Sequence, residues 1–177
     1  MVRMVIEAER FDTLLQHLFP EDFAGERAAF LFAKTVSDGG TVQFEAVEHL
    51  FVDESGVRYS SLGYLELTDE TRGRVIKRAH DLETSLVELH SHRLPFPAEF
   101  SPTDIDGLRE FVPHVWWRLK GRPYLAVVAA PESFDGLAWI PDTERAERLD
   151  ALVIGDRVIQ TTGRSIRGWY QAYGRSI

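Results

Sequence analysis

Hydrophobic and polar positions in the first part of the chain follow two different periods. Residues 1–9 predict a short strand. Between residues 10 and 19 the apolar side chains recur every three or four positions, which predicts an amphipathic helix that ends at Pro20. Residues 28–36 form a nearly continuous apolar run, and residues 41–52 alternate. Because a turn with two glycines separates these two segments, they predict a pair of antiparallel strands.

The rest of the chain continues this mixture of helices and strands. A helix is predicted over residues 68–82, because Thr68 can cap it and two acidic residues occupy its first turn. Residues 85–92 predict a strand, and Ser101 followed by Pro102 predicts the start of another helix. Further strands are predicted over residues 124–130 and 136–140, and a hairpin over residues 150–160. The mixture places the fold in the α/β or α+β class.

Length and composition indicate one packed domain. The chain has 177 residues, with no internal repeat, low-complexity segment or long linker, so one domain is the simplest organisation. Hydrophobic residues make up 44% of the sequence, which is typical of a chain with a packed core rather than a disordered one. We expect residues 1–165 to form the domain and residues 166–177 to form a short peripheral tail.

Charge and cysteine content narrow the classes of function. The chain has no cysteine, which excludes disulfides, thiolate metal ligands and a cysteine nucleophile and fits a reducing cytoplasm. Its formal net charge of −8 argues against a nucleic-acid partner. No apolar run approaches the ~18 residues that span a bilayer, and no signal peptide is visible. We therefore expect a cytoplasmic protein with neither a membrane nor a nucleic acid as partner.

The stretch VELHSHRLPFPAEFSPTD, residues 87–104, contains a candidate metal site. Side chains at positions i and i+2 of a strand point to the same face, so His90 and His92 can direct both imidazoles at one point. Neutral imidazole is a good zinc ligand, and a catalytic zinc commonly has three protein ligands. Asp104 can supply the third ligand if the intervening loop, stiffened by two prolines, folds the helix start back towards the strand.

Each half of this pattern also has an ordinary structural interpretation. A single His-x-His is most often an unremarkable piece of strand. Ser101, Pro102 and Asp104 together are a good helix start, with serine as the cap, proline in the first turn and an acid three positions after the cap. The metal interpretation gains weight because the two features are joined by a short, rigid loop.

A hydrolytic site also needs a base, and several acidic residues are candidates. Glu88 shares a strand face with the histidines but lies behind them, where it can point to solvent. Glu99 lies in the loop, and Glu45 and Glu48 lie on a predicted exposed strand face. Glu26 immediately precedes the apolar strand at residue 28, so it is either an exposed strand start or a group directed into a cleft. Periodicity alone leaves these two alternatives open.

Taken together, these residues resemble the motif of the JAMM (MPN-type) zinc metallopeptidases. The first segment of that family runs Glu-x-x-Gly-x-Leu-x-Gly, and here Glu26-Arg-Ala-Ala29-Phe-Leu31-Phe-Ala33 is similar to it. The second segment appears as His90-Ser-His92, eight residues, and then Ser101-Pro-Thr-Asp104. The resemblance covers about residues 5 to 140, and its specificity lies in the combination of the parts.

Three departures from the family pattern bear on loop geometry and substrate choice. Arg93 stands where a proline usually follows the second histidine. The loop before Ser101 holds eight residues where seven is common, so its path must bulge. Ala29 and Ala33 replace the two glycines. None of these departures removes a ligand or the base.

The resemblance implies a fold, a cofactor and a set of roles. The fold would be one MPN-like domain with a central mixed β-sheet flanked by helices. His90, His92 and Asp104 would hold Zn²⁺, Glu26 would be the general base and then the general acid, and Ser101 would stabilise the oxyanion. The family's relevant members cleave peptide or isopeptide bonds at the C-terminus of ubiquitin or ubiquitin-like proteins. Bacterial relatives occur beside ubiquitin-activating-like enzymes, so such an enzyme is an expected partner.

Three other functions remain as alternatives. A non-catalytic MPN-type interaction module usually lacks ligands or the base, whereas this chain keeps all of them. A DNA-repair relative of the same fold fits poorly with the acidic charge and with the lack of an added DNA-binding segment. A different His-x-His metalloprotein, such as a cupin, would require a glutamate three or four residues after His92, and residues 93–97 offer none.

Overall fold

In the computed structural model, which describes residues 1–172, the chain forms four α-helices and eleven strands. The helices are α1 (Ala8–Leu18), α2 (Asp69–Asp81), α3 (Pro102–Arg118) and α4 (Ser165–Ala172). The strands are β1 (Val2–Ile6), β2 (Ala28–Asp38), β3 (Thr41–Phe51), β4 (Val57–Ser60), β5 (Leu65–Leu67), β6 (Ser85–Ser91), β7 (Tyr124–Ala130), β8 (Ser133–Trp139), β9 (Ala146–Arg148), β10 (Ala151–Ile154) and β11 (Arg157–Gln160). The predicted mixed α/β class is confirmed. None of the helices within residues 1–172 is long and apolar enough to cross a membrane.

Nine of these strands form one mixed sheet, in the order β11-β10-β1-β3-β2-β6-β7-β8-β9. The pairs β1–β10, β1–β3 and β6–β7 are parallel, and the other pairs in the sheet are antiparallel. Strand β6 therefore lies inside the sheet between β2 and β7, as its apolar sequence predicts. Strands β4 and β5 form a separate hairpin, which the sequence pattern did not predict.

Both faces of the sheet are buried, because consecutive side chains of its central strands alternate between two cores. In β2, Phe30 and Phe32 pack on the face covered by α2, α3 and α4, whereas Leu31 packs on the face covered by α1. A strand buried on both faces reads as a continuous apolar run rather than an alternating one. This explains the nearly unbroken apolar sequences of β2, β6 and β7.

The C-terminal helix α4 corrects one expectation from the sequence. Residues 166–177 were expected to form a peripheral tail, and this is wrong for the part up to residue 172. Trp169 is fully buried, with its ring 4.9 Å from the ring of Trp139 in an edge-on arrangement. Its indole N–H also donates to the carbonyl of Glu144 at 3.1 Å. Residues 173–177 of the predicted tail lie outside the described residues.

The burial of Trp169 predicts that α4 contributes to the stability of the whole fold. Trp169→Ala should lower the free energy of unfolding by about 3–5 kcal/mol, because it removes a large buried ring and leaves a cavity. Urea unfolding followed by circular dichroism measures this change. Trp117→Ala is the matched control, since Trp117 is 71% exposed and its removal should change stability by less than about 0.5 kcal/mol. Equal effects of the two substitutions would contradict a structural role for α4.

Candidate metal centre

Strand pairing brings the predicted site residues to one edge of the sheet. His90 lies near the carboxyl end of β6, and His92 follows the strand by one residue. Strand β2 runs antiparallel to β6 with Ala28 opposite His90, so Glu26, two residues earlier in the chain, lies on the side of His92. Asp104 lies in the first turn of α3, as predicted. The centre is therefore assembled from the end of one strand, the approach to its neighbour and the start of a helix.

The two histidines and Asp104 converge closely enough to share one metal ion. The Nε2 atoms of His90 and His92 are 3.1 Å apart. Asp104 Oδ2 lies 3.6 Å from Nε2 of His90 and 3.2 Å from Nε2 of His92. Tetrahedral coordination with metal–ligand distances of about 2.0–2.1 Å separates neighbouring ligand atoms by about 3.3 Å. The observed spacings fit that geometry, so this His-His-Asp group could hold a metal ion.

The charges within the cluster favour a cation at its centre. Burial alone would lower the pKa of His90, but the carboxyl groups of Asp104, Glu26 and Glu88 together outweigh that effect and raise the pKa to about 9. Burial alone would raise the pKa of Asp104, yet its interactions with His90, His92 and Ser101 hold this pKa well below the ordinary value. The surroundings therefore stabilise positive charge beside an ionised carboxylate. A divalent metal ion would supply that charge in place of the His90 proton, because an imidazole must be neutral to bind a metal.

The orientation of the Asp104 carboxylate is fixed by the cap of its own helix. The backbone N–H of Ser101 donates to Asp104 Oδ2 at 2.7 Å, and the backbone N–H of Asp104 donates to Ser101 Oγ at 3.2 Å. Ser101, Pro102 and Asp104 therefore do form a helix start, and Asp104 can cap the helix and bind a metal ion at the same time. Partners of this kind orient metal ligands in proteins.

The carboxyl group of Glu26 points inward, so Glu26 is not an exposed residue at the start of a strand. Its residue is only 2% exposed, and Oε1 lies 3.8 Å from Nε2 of His92. Within residues 1–172, the buried Oε2 has no hydrogen-bond partner. Burial raises the pKa of Glu26, although the nearby histidines oppose part of the rise. Glu26 is thus a buried carboxyl group beside the cluster and not an exposed strand start.

The contacts that hold Glu26 in place connect it to distant parts of the chain. The backbone N–H of Glu26 donates to the carbonyl of Ser61 at 2.9 Å, and Ser60 Oγ donates to the carbonyl of Glu26 at 2.6 Å. On the other side, the backbone N–H of Arg27 donates to Oγ of buried Ser91 at 3.0 Å. These bonds join segments more than thirty residues apart, and no local pattern could have predicted them.

Glu88 lies on β6 as predicted, but its side chain is not directed simply to solvent. It is half-buried and accepts a hydrogen bond from the hydroxyl of fully buried Tyr124. Glu88 also lines a groove of about 380 Å³. This groove lies between the β4–β5 hairpin and α3, and His90 and Asp104 line it as well. Glu88 therefore belongs to the surroundings of the centre.

The other acidic candidates lie at the surface. Glu48 forms an ion pair with Arg78 at 2.5 Å, and Glu99 lies 3.9 Å from Arg164. Glu45 lies on β3, opposite Lys34 of β2 in the pairing register. None of these three glutamates lines the groove. Glu26 is therefore the acidic residue, among those considered from the sequence, that the fold places against the histidines.

The loop of residues 93–100 begins with Arg93. The Arg93 guanidinium donates to the carbonyl of Pro20 at 2.8 Å and lies over the ring of Phe19, 5.9 Å from its centre. The loop start is therefore held by the segment that follows α1. Leu94 and Phe96, in the middle of the loop, are exposed.

Comparison with known proteins does not assign the chain to a family. No family model matches it, and no curated protein matches it.

The geometry predicts about one divalent metal ion per chain in protein purified without chelators. His92→Ala should reduce the metal content severalfold or more, because it removes one of three ligands from a site that is otherwise unchanged. Metal analysis by mass spectrometry measures this ratio. His80→Ala is the control, since His80 lies half-exposed on α2 and should leave the content unchanged. Undiminished metal in His92→Ala would contradict the assignment of the ligands.

Proposed function

We propose that this protein is a zinc-dependent peptidase of the JAMM type, which cleaves peptide or isopeptide bonds at the C-terminus of a ubiquitin-like protein. One observation carries the proposal. The ligand atoms of His90, His92 and Asp104 converge within 4.8 Å, and the buried carboxyl group of Glu26, with one oxygen unbonded within residues 1–172, lies against them. A purely structural metal site has no need of such a carboxyl group.

Zinc is the proposed metal because of the donor set. Two imidazole nitrogens and one carboxylate oxygen suit zinc, whereas magnesium and calcium prefer oxygen ligands throughout. Structural zinc sites usually have four protein ligands, and catalytic sites usually have three. A site of three ligands, two of them histidines, therefore favours a catalytic zinc.

The residues around the metal have distinct proposed roles in hydrolysis. Zinc would act as a Lewis acid and lower the pKa of a water molecule towards neutrality. Glu26 accepts the proton of the attacking water and returns it to the leaving amine. Its burial supports this role, because a raised pKa brings a carboxyl group closer to the working pH. Ser101 donates its hydroxyl proton to the oxyanion that forms on the substrate carbonyl.

The groove beside the centre supports an extended peptide as substrate. Its walls are the β4–β5 hairpin and α3, and its volume of about 380 Å³ suits a few residues of extended chain. Besides the site residues His90 and Asp104, the charged side chains that line it are four acids and one arginine (Glu66, Glu88, Asp106, Glu110 and Arg72), so basic side chains on the bound segment are favoured. A flexible C-terminal tail of a ubiquitin-like protein is the proposed occupant, and a ubiquitin-activating-like enzyme is the proposed functional partner.

Replacement of Glu26 tests whether the centre is catalytic. Glu26→Gln keeps the shape of the side chain but cannot take the proton of water. Hydrolysis should therefore fall by about 10²–10⁴-fold while the zinc content stays the same. The assay measures release of a reporter fused to the C-terminus of each member of a panel of ubiquitin-like proteins. Addition of a strong chelator to the wild-type protein should abolish the same activity.

Glu147→Gln is the matched control for this experiment. Glu147 is exposed on the edge strand β9, so the same substitution there should leave hydrolysis unchanged. If Glu26→Gln hydrolyses as fast as Glu147→Gln, Glu26 is not the base. If wild-type protein with bound zinc hydrolyses no member of the panel, the interaction-module alternative replaces the enzyme.

A further inference from the structure

A buried carboxylate outside the metal centre organises the segment before α4. Asp135 of β8 is fully buried, and four hydrogen bonds converge on its two oxygens. The donors are the N–H of Gly136 at 2.9 Å, the N–H of Gly163 at 3.0 Å, and both the N–H and the Oγ of Ser165 at 2.7 Å. A buried charge is tolerated when donors satisfy it in this way. Asp135 thereby fixes the start of α4 against the sheet.

Ser165 connects Asp135 to the loop that leads into α3. Its hydroxyl proton is donated to Asp135, so Ser165 Oγ can act only as an acceptor towards its other neighbour. That neighbour is the backbone N–H of Phe100, at 2.9 Å, and the bond is buried. Ser165 therefore donates to Asp135 and accepts from Phe100, so the three residues form one continuous chain of hydrogen bonds.

Phe100 connects this chain of hydrogen bonds to the metal centre. It immediately precedes Ser101, whose backbone N–H holds the Asp104 carboxylate. The ring of Phe100 is buried and lies 5.5 Å from the ring of His90. A shift of the Phe100 backbone would therefore move the helix cap, and with it the position of the Asp104 oxygen.

Two further hydrogen bonds hold the same half of the loop. The backbone N–H of Ala98 donates to Oγ of Ser133 at 2.8 Å, and Oγ1 of Thr162 donates to the carbonyl of Ala98 at 2.6 Å. Ser133 lies two residues before Asp135, and Thr162 lies three residues before Ser165. The second half of the loop is thus fastened to β8 and to the segment before α4, while its middle is exposed.

We propose that Asp135 and Ser165 are positioning residues for the metal centre. They hold Phe100, and through it the Ser101–Asp104 cap, at the distance from His90 and His92 that a metal ion requires. The inference rests on the metal-binding part of the proposed function and does not depend on hydrolysis. Within residues 1–172, no hydrogen bond or ion pair joins either residue to His90, His92 or Asp104, and both lie more than thirty residues beyond Asp104 in the sequence.

The test is the zinc affinity of Ser165→Ala, measured by competition with a chromophoric chelator. Loss of the hydroxyl leaves the Phe100 N–H without its acceptor, and the affinity should fall about tenfold, as it does when outer partners of metal ligands are removed. The stability of each variant is measured separately in excess chelator by thermal unfolding. This second readout separates an effect on the centre from an effect on the fold.

Ser85→Ala is the matched control. Ser85 is buried in the same strand as His90, about 17 Å away along it, and its hydroxyl bonds to Thr35 Oγ1 at 2.8 Å. The control should lose stability as Ser165→Ala does but keep the wild-type zinc affinity. Equal zinc affinities of the two variants would overturn the positioning role, while wild-type protein that binds no zinc would overturn the proposed function as well.

Asp135→Asn covers the case in which Ser165→Ala does not fold. The amide keeps the volume of the side chain but replaces one acceptor oxygen with a donor, which weakens the hold on Ser165, so zinc binding should also weaken. An unchanged affinity in that variant would likewise overturn the proposal.

Discussion

The antiparallel pairing of β2 with β6 is the constraint on which the centre depends. Side chains alternate along both strands, so a slip of one residue would turn His90 and His92 to the opposite face. Burial on both faces prevents such a slip, because Leu86 must pack under α2 and α3 while Val87 packs with α1 on the other side. The same register places Glu26 beside His92. Apolar packing thus determines which polar groups meet at the edge of the sheet.

The sequence predicts the parts of the site that local patterns encode. Because side chains two positions apart in a strand share a face, the His-x-His spacing predicts that His90 and His92 converge. The helix-start signature predicts the place of Asp104. The contacts that connect distant segments have no such signal, and they include the Ser60 and Ser61 bonds to Glu26 and the Ser165 bond to Phe100. For α4 a signal did exist, since Ile166, Trp169 and Tyr170 recur at helical spacing. Its short length and central glycine made that signal weak.

The centre gathers groups whose burial is unfavourable unless they balance one another. Glu26 and His90 are buried, Asp104 is mostly buried, and one oxygen of Glu26 has no hydrogen bond within residues 1–172. A well-packed apolar cluster at this position would cost the fold less. A divalent cation would balance the charges of both carboxylates at once. The composition of the cluster is therefore better explained by binding and chemistry than by stability of the fold.

The loop between His92 and Asp104 is held at both of its ends. A proline after His92 would stiffen the loop through its fixed φ angle. Arg93 instead fastens the loop start through its bond to the carbonyl of Pro20, and Ser165 fastens the loop end through Phe100. With both ends held, the exposed part of the loop is its middle, where Leu94 and Phe96 lie. The distance between His92 and Asp104 therefore depends on the two held ends of the loop and not on its exposed middle.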